Sequence, residues 1–435
     1  MTNKSMVIGF SKLTREQKRD FVASLFEDHK SAAAQLDCFL HSDKSLQKRF
    51  EEFSENTISN YFLPYGIVPN IVINDEIFHL PMVIEESSVV AAASNSAKFW
   101  ASRGGFHAQV LGMTKLGHVH FLWNEDPAIL FNAFDDIKNK LFFEAKYLTS
   151  NMEKRGGGIM DIELVDMTHE IADYYQLKVS FDTCDSMGAN FINSCLESFA
   201  NTLDGFGKAL SSDKNSLQVI MSILSNYTPE CKVKVWVECL IEELDGLGEG
   251  MSGLEFARKF ELAVKIAQID PYRATTHNKG IYNGIDAIVI ATGNDFRAIE
   301  ASGHAWAAHT GRYSGLTKVD ISNGRFCYTL EVPLSIGTVG GLTSLHPLAR
   351  FSLELLGEPS AEKLMKIAAV AGLANNFGAI RSLITKGIQS GHMKMHLHNM
   401  LNFMGATDAE KIRAEEWFKD KVVSYKAVKD YLQKL

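Results

Sequence analysis

The sequence predicts an α+β protein: a large mixed helix–strand body, a small ferredoxin-like module inserted into it, and a helical appendage at the C-terminal end. Three observations carry this expectation. At 435 residues the chain is longer than one hydrophobic core usually organises. From Ala108 to Ile223 the apolar pattern follows the order β-β-α-β-β-α-β, the sequence of a ferredoxin-like module with one extra leading strand. From about residue 376 onward the pattern is helical, ending in a segment rich in Lys and Glu.

The elements follow from local signals. Thr14 and Gln17 form a capping box ahead of Phe21, Val22, Leu25 and Phe26, which recur at helical spacing. Tyr61 to Pro81 holds three prolines among short apolar runs and reads as strands and turns. Ala108–Met113 and Val119–Trp123 read as paired strands around Gly117, and Ala128–Leu148 as a helix. Ile159–Met167 and Leu177–Thr183 are strands, the second alternating through Leu177, Val179 and Phe181. Phe191–Leu210 is a helix and Leu217–Leu224 closes the module as a strand. The larger body resumes with the alternating strand Lys232–Glu238, then a helix capped by Ser252 and Glu255 that runs to about Ile269. Ala287–Ala291 reads as a buried strand, Phe326–Val332 as another, and a helix-rich stretch begins at Leu345. Thr407 and Glu410 cap a terminal helix. Small appendages of this kind commonly serve as lids.

Composition narrows the function classes. With 46% apolar and 22% charged residues the chain is globular and not disordered. Its net charge of -8 is spread along the sequence. That argues against non-specific nucleic-acid binding but allows a local basic patch for a phosphorylated small molecule. The cysteines Cys38, Cys184, Cys195, Cys231, Cys239 and Cys327 form neither a C-x-x-C nor zinc-finger spacing. They read as reduced, mostly buried thiols of a cytoplasmic protein. No apolar h-region follows Met1–Ser5, and no run of about 18 or more apolar residues appears, so neither a signal peptide nor a membrane span is expected.

Five segments carry chemistry. Glu85-Glu86 precedes the small apolar run from Val89 to Ala93, which opens a buried helix. An acid there is either partly desolvated and suited to proton transfer, or an ordinary complement to the helix dipole. Cys184-Asp185-Ser186-Met187-Gly188-Ala189-Asn190 joins a strand to a helix and offers amides to an anion, or is a simple turn. Arg155-Gly156-Gly157-Gly158 is a second cationic loop, and no G-x-G-x-x-G supports a Rossmann fold. Arg273 to Gly284 crowds Arg273, His277, Lys279 and Asn283 between a helix and a strand, and a lysine there suits oxyanion stabilisation, a solvated loop being the alternative. Asp295 follows the apolar run at what reads as a strand's C-terminal end, a common site position and also a common turn position. Finally, His392 and His396 share a helix face in Gly391–Asn399. Without H-E-x-x-H or a third ligand, a single catalytic histidine fits better than a metal site. His304 and His309 read as structural, and Gly337-Thr338-Val339-Gly340-Gly341 is a further glycine loop.

Together these segments, with Glu55-Asn56-Thr57-Ile58 and Leu63-Pro64-Tyr65-Gly66, resemble the 3-hydroxy-3-methylglutaryl-CoA (HMG-CoA) reductase family, specifically its soluble bacterial class II form. The resemblance covers nearly the whole chain in consistent order. The Asp-x-Met-Gly-x-Asn and Gly-Thr-Val-Gly-Gly matches are its most specific parts. It implies a large HMG-CoA-binding domain (1–107 and 224–375), an inserted NAD(P)-binding domain (108–223) and a C-terminal flap (376–435). It also implies a dimer, or an oligomer built from dimers, with active sites at subunit interfaces.

By the same resemblance Glu86, Lys279, Asp295 and His392 are catalytic, and Ser88, Arg273, Asn283 and Asn226 contact substrate. Asp185, Met187, Gly188 and Asn190 hold the cofactor. No metal is implied. The reaction is a thioester reduced to an alcohol in two hydride steps, with NADPH favoured over NADH and Lys154 and Arg155 as candidate cations for the ribose phosphate. The same enzyme running oxidatively with NAD, and a silent CoA-ester-binding relative, are the alternatives. Two positions depart from the family: Ser87 replaces its usual proline, and Ser59 stands where its motif ends in glycine.

Overall fold

The computed structural model describes residues 6–211, 213, 216–248, 250–385, 397–419, 421 and 423–435. The chain divides into two units, Met1–Tyr65 and Gly66–Leu435. In the first, α1 (Arg15–Ala23) is opened by the expected Thr14–Gln17 capping box, while Asp28 and Asp43 cap α2 (His29–Asp37) and α3 (Lys44–Glu51). Arg19 clamps α1 to α2 through Asp37 at 2.8 Å. The Ser59 hydroxyl donates to the Leu36 carbonyl at 2.6 Å, so the serine at this departure ties its segment back to α2.

In the second unit the described apolar residues separate into three cores. The largest surrounds α13 (Ala361–Ile384), whose buried positions include almost every residue from Leu364 to Phe377. A helix apolar all round must be enclosed by other elements. It is also, among the described residues, the helix long and apolar enough to cross a membrane, although most of that stretch is buried inside the protein. Around it lie the hairpin β1 (Tyr65–Ile73) and β2 (Glu76–Val83), α4 (Ser87–Ala101), α8 (Gly253–Ile269) and α9 (Pro271–Ala291). A four-stranded antiparallel sheet completes the enclosure, made of β3 (His107–Val110), β8 (Lys232–Leu240), β10 (Arg325–Pro333) and β9 (Thr317–Ser322) in that order. Along β8, Val233, Val235 and Val237 face the core while Lys232, Lys234 and Trp236 face outward, the alternation its sequence predicts.

The second core belongs to the inserted module. Its strands β4 (Lys115–Trp123), β5 (Gly158–Asp166), β6 (Tyr174–Asp182) and β7 (Leu217–Leu224) pair antiparallel in the order β5-β6-β4-β7. With α5 (Pro127–Glu144), α6 (Lys146–Glu153) and α7 (Ala189–Leu210) between them, this is the expected ferredoxin-like arrangement. Two details differ. The helix expected over Ala128–Leu148 runs on to Glu153 but breaks at Ala145. The extra leading strand, β3, pairs with β8 and not with β4, because the chain leaves the large sheet at Leu111 and enters the small one at Lys115. The third core joins the helical residues 397–403 to the helices Asp408–Trp417 and Tyr425–Leu432 through Leu401, Phe418 and Val428. The Thr407–Glu410 capping box is present there.

The main correction falls on Arg273–Ala291. No loop and no strand form; the segment is one helix, α9, started by Asp270 as cap and Pro271 in its first turn. Ile281, Ile285 and Ile288 recur at helical spacing and are fully buried. Gly284 allows α9 to touch α13, since a Cβ there would stand 2.2 Å from the Ala371 carbonyl oxygen. Asp295 accordingly follows a helix and caps the next one, α10 (Phe296–Ala307).

Candidate active site

Helical geometry gathers the charged residues that the sequence scattered. Arg273, Lys279 and Asn283 lie on α9, and Ser88 lies in the first turn of α4, whose N-cap is Glu86. The two helices turn these side chains into one cavity of about 520 Å³, floored by Asn375, Asn376 and Ser382 of α13. The Lys279 ammonium donates to Glu86 Oε2 at 3.2 Å, and the Ser88 hydroxyl donates to Glu86 Oε1 at 2.6 Å. Glu86 therefore faces a cation and a hydroxyl, not the apolar surroundings one sequence alternative allowed. With side-chain exposures of 64% for Lys279 and 37% for Glu86, the pair is open to a ligand.

Two further groups shape the cavity. Arg273 makes no ion pair among the described residues, and burial pulls its guanidinium below its ordinary pKa. A half-buried cation without a carboxylate suits an anionic ligand group. Beside it His277 is buried and uncharged, its pKa pushed down to about 3 by burial first and by Arg273 second. Its Nε2 lies 2.6 Å from Thr317 Oγ1, and Asn376 Nδ2 donates to its carbonyl at 2.8 Å. Asn376 also bonds the Tyr328 hydroxyl. The sequence marks His277 within the Arg273–Gly284 segment but gives no weight to Asn375 and Asn376. Their signal was the two amides interrupting an otherwise apolar helix, which is expensive unless the amides are used.

Asp295 makes its ion pair elsewhere than at Lys279. Its carboxylate takes Arg297 Nε at 2.9 Å and Nη2 at 2.8 Å, and it caps α10 through the Arg297 amide at 3.0 Å. The Arg297 hydrogen bonds hold its carboxyl below the usual range against an opposing effect of partial burial. Of the two residues that the resemblance makes catalytic, Lys279 thus pairs with Glu86 and Asp295 with Arg297 within one chain. His392, with His396 and the rest of 386–396, lies outside the described residues.

Asp185, Met187, Gly188 and Asn190 sit where β6 passes into α7. Gly188 is the N-cap in the left-handed region (φ 85°), with no side chain capping the helix, so the first amides of α7 are left to bind an anion. The loop is pinned from the large core. Thr338 N donates to the Asp185 carbonyl at 2.8 Å, and Ala361 N donates to Asp185 Oδ1 at 2.7 Å. Gly337 N donates to Asn294 Oδ1 at 2.8 Å, which links this loop to the Asn294–Asp295 segment. The loop borders a groove of about 600 Å³ that also meets Thr338, Arg350 and Ser360. Arg155 lies close by, its carbonyl accepting from Cys184 Sγ at 3.4 Å. Asn226 is not on the Lys279 cavity; it lines a small space with Lys115 and Met187. His304 and His309 are structural as expected, the first bonded to the Tyr313 hydroxyl at 2.8 Å and the second stacked on Trp306. Among the described residues no group of three His, Cys, Asp or Glu side chains is placed to hold a metal.

The family model described as hydroxymethylglutaryl-coenzyme A reductase matches residues 14–397. A 3-hydroxy-3-methylglutaryl-coenzyme A reductase of Archaeoglobus fulgidus is 36% identical over 384 residues, spanning 88% of this chain and 84% of that one. A probable reductase of Borreliella burgdorferi is 33% identical, over 86% and 83% of the two chains. The chain belongs to the HMG-CoA reductase family. The particular form follows from solved structures. A class II reductase of Streptococcus pneumoniae, bound to NADPH in open conformations, aligns with a TM-score of 0.71 at 34% identity, covering 87% of this chain and 99% of that one. A second structure of the reductase from that organism gives a TM-score of 0.71 at 33% identity over 98% of this chain and 99% of that one. This chain is of the class II form.

Proposed function

We propose that the protein reduces HMG-CoA to mevalonate and free CoA with two equivalents of NADPH. The observation that carries this is the Lys279–Glu86 pair opening, beside the half-buried guanidinium of Arg273, onto one cavity. Arg273 and Asn283 bind the substrate's carboxylate end, and Ser88 holds Glu86 in place. Lys279 stabilises negative charge as it develops on the thioester oxygen and again on the aldehyde oxygen. Glu86, already hydrogen-bonded to Lys279, carries the proton that the aldehyde oxygen takes up. His392 protonates the departing thiolate, whose thiol has an ordinary pKa near 8.5. Asp295 acts on the charge around Lys279 from the second chain of a dimer, since within one chain it pairs with Arg297.

Bound NADPH supplies the hydride. Its phosphates fit the uncapped start of α7, with Asp185, Met187, Gly188 and Asn190 forming the loop and Arg155 nearby as a cation for the ribose phosphate. In a single chain this loop and the Lys279 cavity border different spaces, and Asn226 and Asp295 lie outside the cavity. That separation supports a dimer in which each site draws on two chains. The exposed apolar residues Leu342, Leu345 and Leu348, each 44–56% accessible, support it too. We divide the chain into a substrate domain (1–107 and 224–375), a cofactor domain (108–223) and a C-terminal flap (376–435); the separate cores of the second and third support them, while the first core continues along α13 to Ile384. The working compartment is the cytoplasm.

The test is the loss of NADPH absorbance when HMG-CoA is added. Two NADPH consumed per mevalonate formed supports the reading. Binding of HMG-CoA without turnover under either NADPH or NADH makes the protein a silent CoA-ester binder. Turnover only from mevalonate with NAD makes it an oxidative enzyme.

A further inference from the structure

Lys115 is a charged residue that the reaction does not use. It is the first residue of β4, reached just after the chain crosses from the large sheet to the small one. Its side chain is 1% exposed. The Nζ donates to Thr183 Oγ1 at 2.6 Å and to the Ser186 carbonyl at 2.9 Å. Thr183 Oγ1 donates to that same carbonyl at 2.6 Å, closing a triangle. Burial draws the Lys115 pKa down, and Asp182 and Asp185 oppose this from a distance, without an ion pair to the ammonium among the described residues.

Everything the triangle touches belongs to one turn. Thr183 lies beneath Gly188, where a Cβ would stand 2.4 Å from the threonine methyl. Ser186 Oγ accepts from the Gly188 amide at 3.0 Å. The ammonium uses two of its three donors on this turn, and beside it Thr228 Oγ1, lining the same small space as Met187 and Asn226, is buried without a partner among the described residues. Burying a lone ammonium is costly, and an apolar side chain of the same length fills such a space at lower cost. Fold stability therefore does not account for a lysine here.

We propose that Lys115 is a positioning residue for the dinucleotide: its side-chain nitrogen, donating to Thr183 and Ser186, fixes the Thr183–Gly188 turn behind the opening amides of α7. It governs cofactor affinity and leaves the chemistry at Lys279 untouched. This rests on reading Asp185–Asn190 as the cofactor loop, and it adds a residue from another strand that never reaches the surface.

The experiment compares Lys115→Met, Thr183→Val and Asn190→Ala in the full chain. Steady-state kinetics with each substrate varied are paired with NADPH titration by fluorescence. Lys115→Met is expected to raise the KM and Kd for NADPH about tenfold, with the KM for HMG-CoA unchanged and kcat within about threefold. Thr183→Val shifts NADPH affinity the same way by less, and adding it to Lys115→Met gives little further loss, because both act through one triangle. Asn190→Ala, in the loop itself, reports on the underlying reading. If it weakens NADPH and Lys115→Met does not, the role of Lys115 is overturned and the loop stands. If neither changes NADPH affinity, the loop reading fails. Equal damage to both KM values and kcat in Lys115→Met makes the residue merely structural. Should that variant not fold, wild-type NADPH affinity in Thr183→Val overturns the proposal.

Discussion

Replacing Gly284 by alanine tests the packing that aims Lys279. The new methyl would stand 2.2 Å from Ala371 O, 2.6 Å from Ala371 C and 2.9 Å from Gly372 N. All three are backbone atoms in the middle of α13, which is enclosed on every side, so no rotamer relieves the contact. Ordinary carbon contacts begin near 3.5 Å, so the two helices must part by about 1 Å along that line. Overpacking of this kind costs about 1–3 kcal/mol, a large share of a typical stability of about 5–15 kcal/mol. The shift is not local, because Asn283 is the adjacent residue and Lys279 lies little more than one turn away on the same helix. An error of about 1 Å at the reacting groups costs on the order of a hundredfold in rate. Gly284→Ala is therefore expected to lower the thermal midpoint by a few degrees, followed by circular dichroism, and to cut kcat by about 10–100-fold in the NADPH assay. A wild-type melting curve refutes the close crossing of α9 and α13. A lowered midpoint with wild-type kcat refutes the claim that the crossing positions Lys279.

Lys279→Ala should leave the melting curve close to wild type, since the side chain is 64% exposed, while turnover falls at least about a hundredfold; ordinary activity would remove Lys279 from the site. Arg273→Met should raise the KM for HMG-CoA about 10–100-fold with less effect on kcat, because an ion-paired hydrogen bond of about 1.5–3 kcal/mol is lost in ground and transition states alike. A KM that does not move sends the substrate carboxylate elsewhere. Asp286, two turns beyond Lys279 on α9, is pushed up to about 8 by burial and by Glu300 beside it. The unfolded chain ionises the same group near 3.9, so the folded state holds an extra proton between those values. Stability therefore falls as pH rises from about 4 to about 8 and levels off beyond. Asp286→Asn should flatten that slope in pH-dependent melting, and parallel curves for the two proteins would show that the carboxyl is not held protonated.

Much of the site was legible because some residues announce themselves without neighbours. Thr14, Ser252 and Thr407 each sit three positions before a Gln or Glu, and each opens a helix through a capping box. The alternation in Leu177–Phe181 and Val233–Val237 gives strands whose apolar faces are buried as expected. Glu86, Ser88, Lys279 and Arg273 were marked by residue type and order along the chain, and the fold places all four on one cavity. The partners inside the fold were not legible. Nothing near Lys279 in sequence says that it will meet Glu86, and nothing near Lys115 says that its charge will lie under a turn about seventy residues away. Such pairings depend on where distant strands and helices come to rest.

By itself the sequence determined which groups are available for the reaction and which stretches are helix starts, alternating strands or apolar cores. Periodicity and capping are local, and each acts within a few residues. Only the tertiary structure decided how Arg273–Ala291 is used. The short run Ala287–Ala291 is apolar on every position, and such a run satisfies a buried strand or a buried helix equally well. What selects the helix is α13 alongside, close enough at Ala371 that only Gly284 fits, so that burial of Ile281, Ile285 and Ile288 is achieved in helical register. That choice places Arg273, Lys279 and Asn283 on one helix lining one cavity, where a loop would have left their spacing unset.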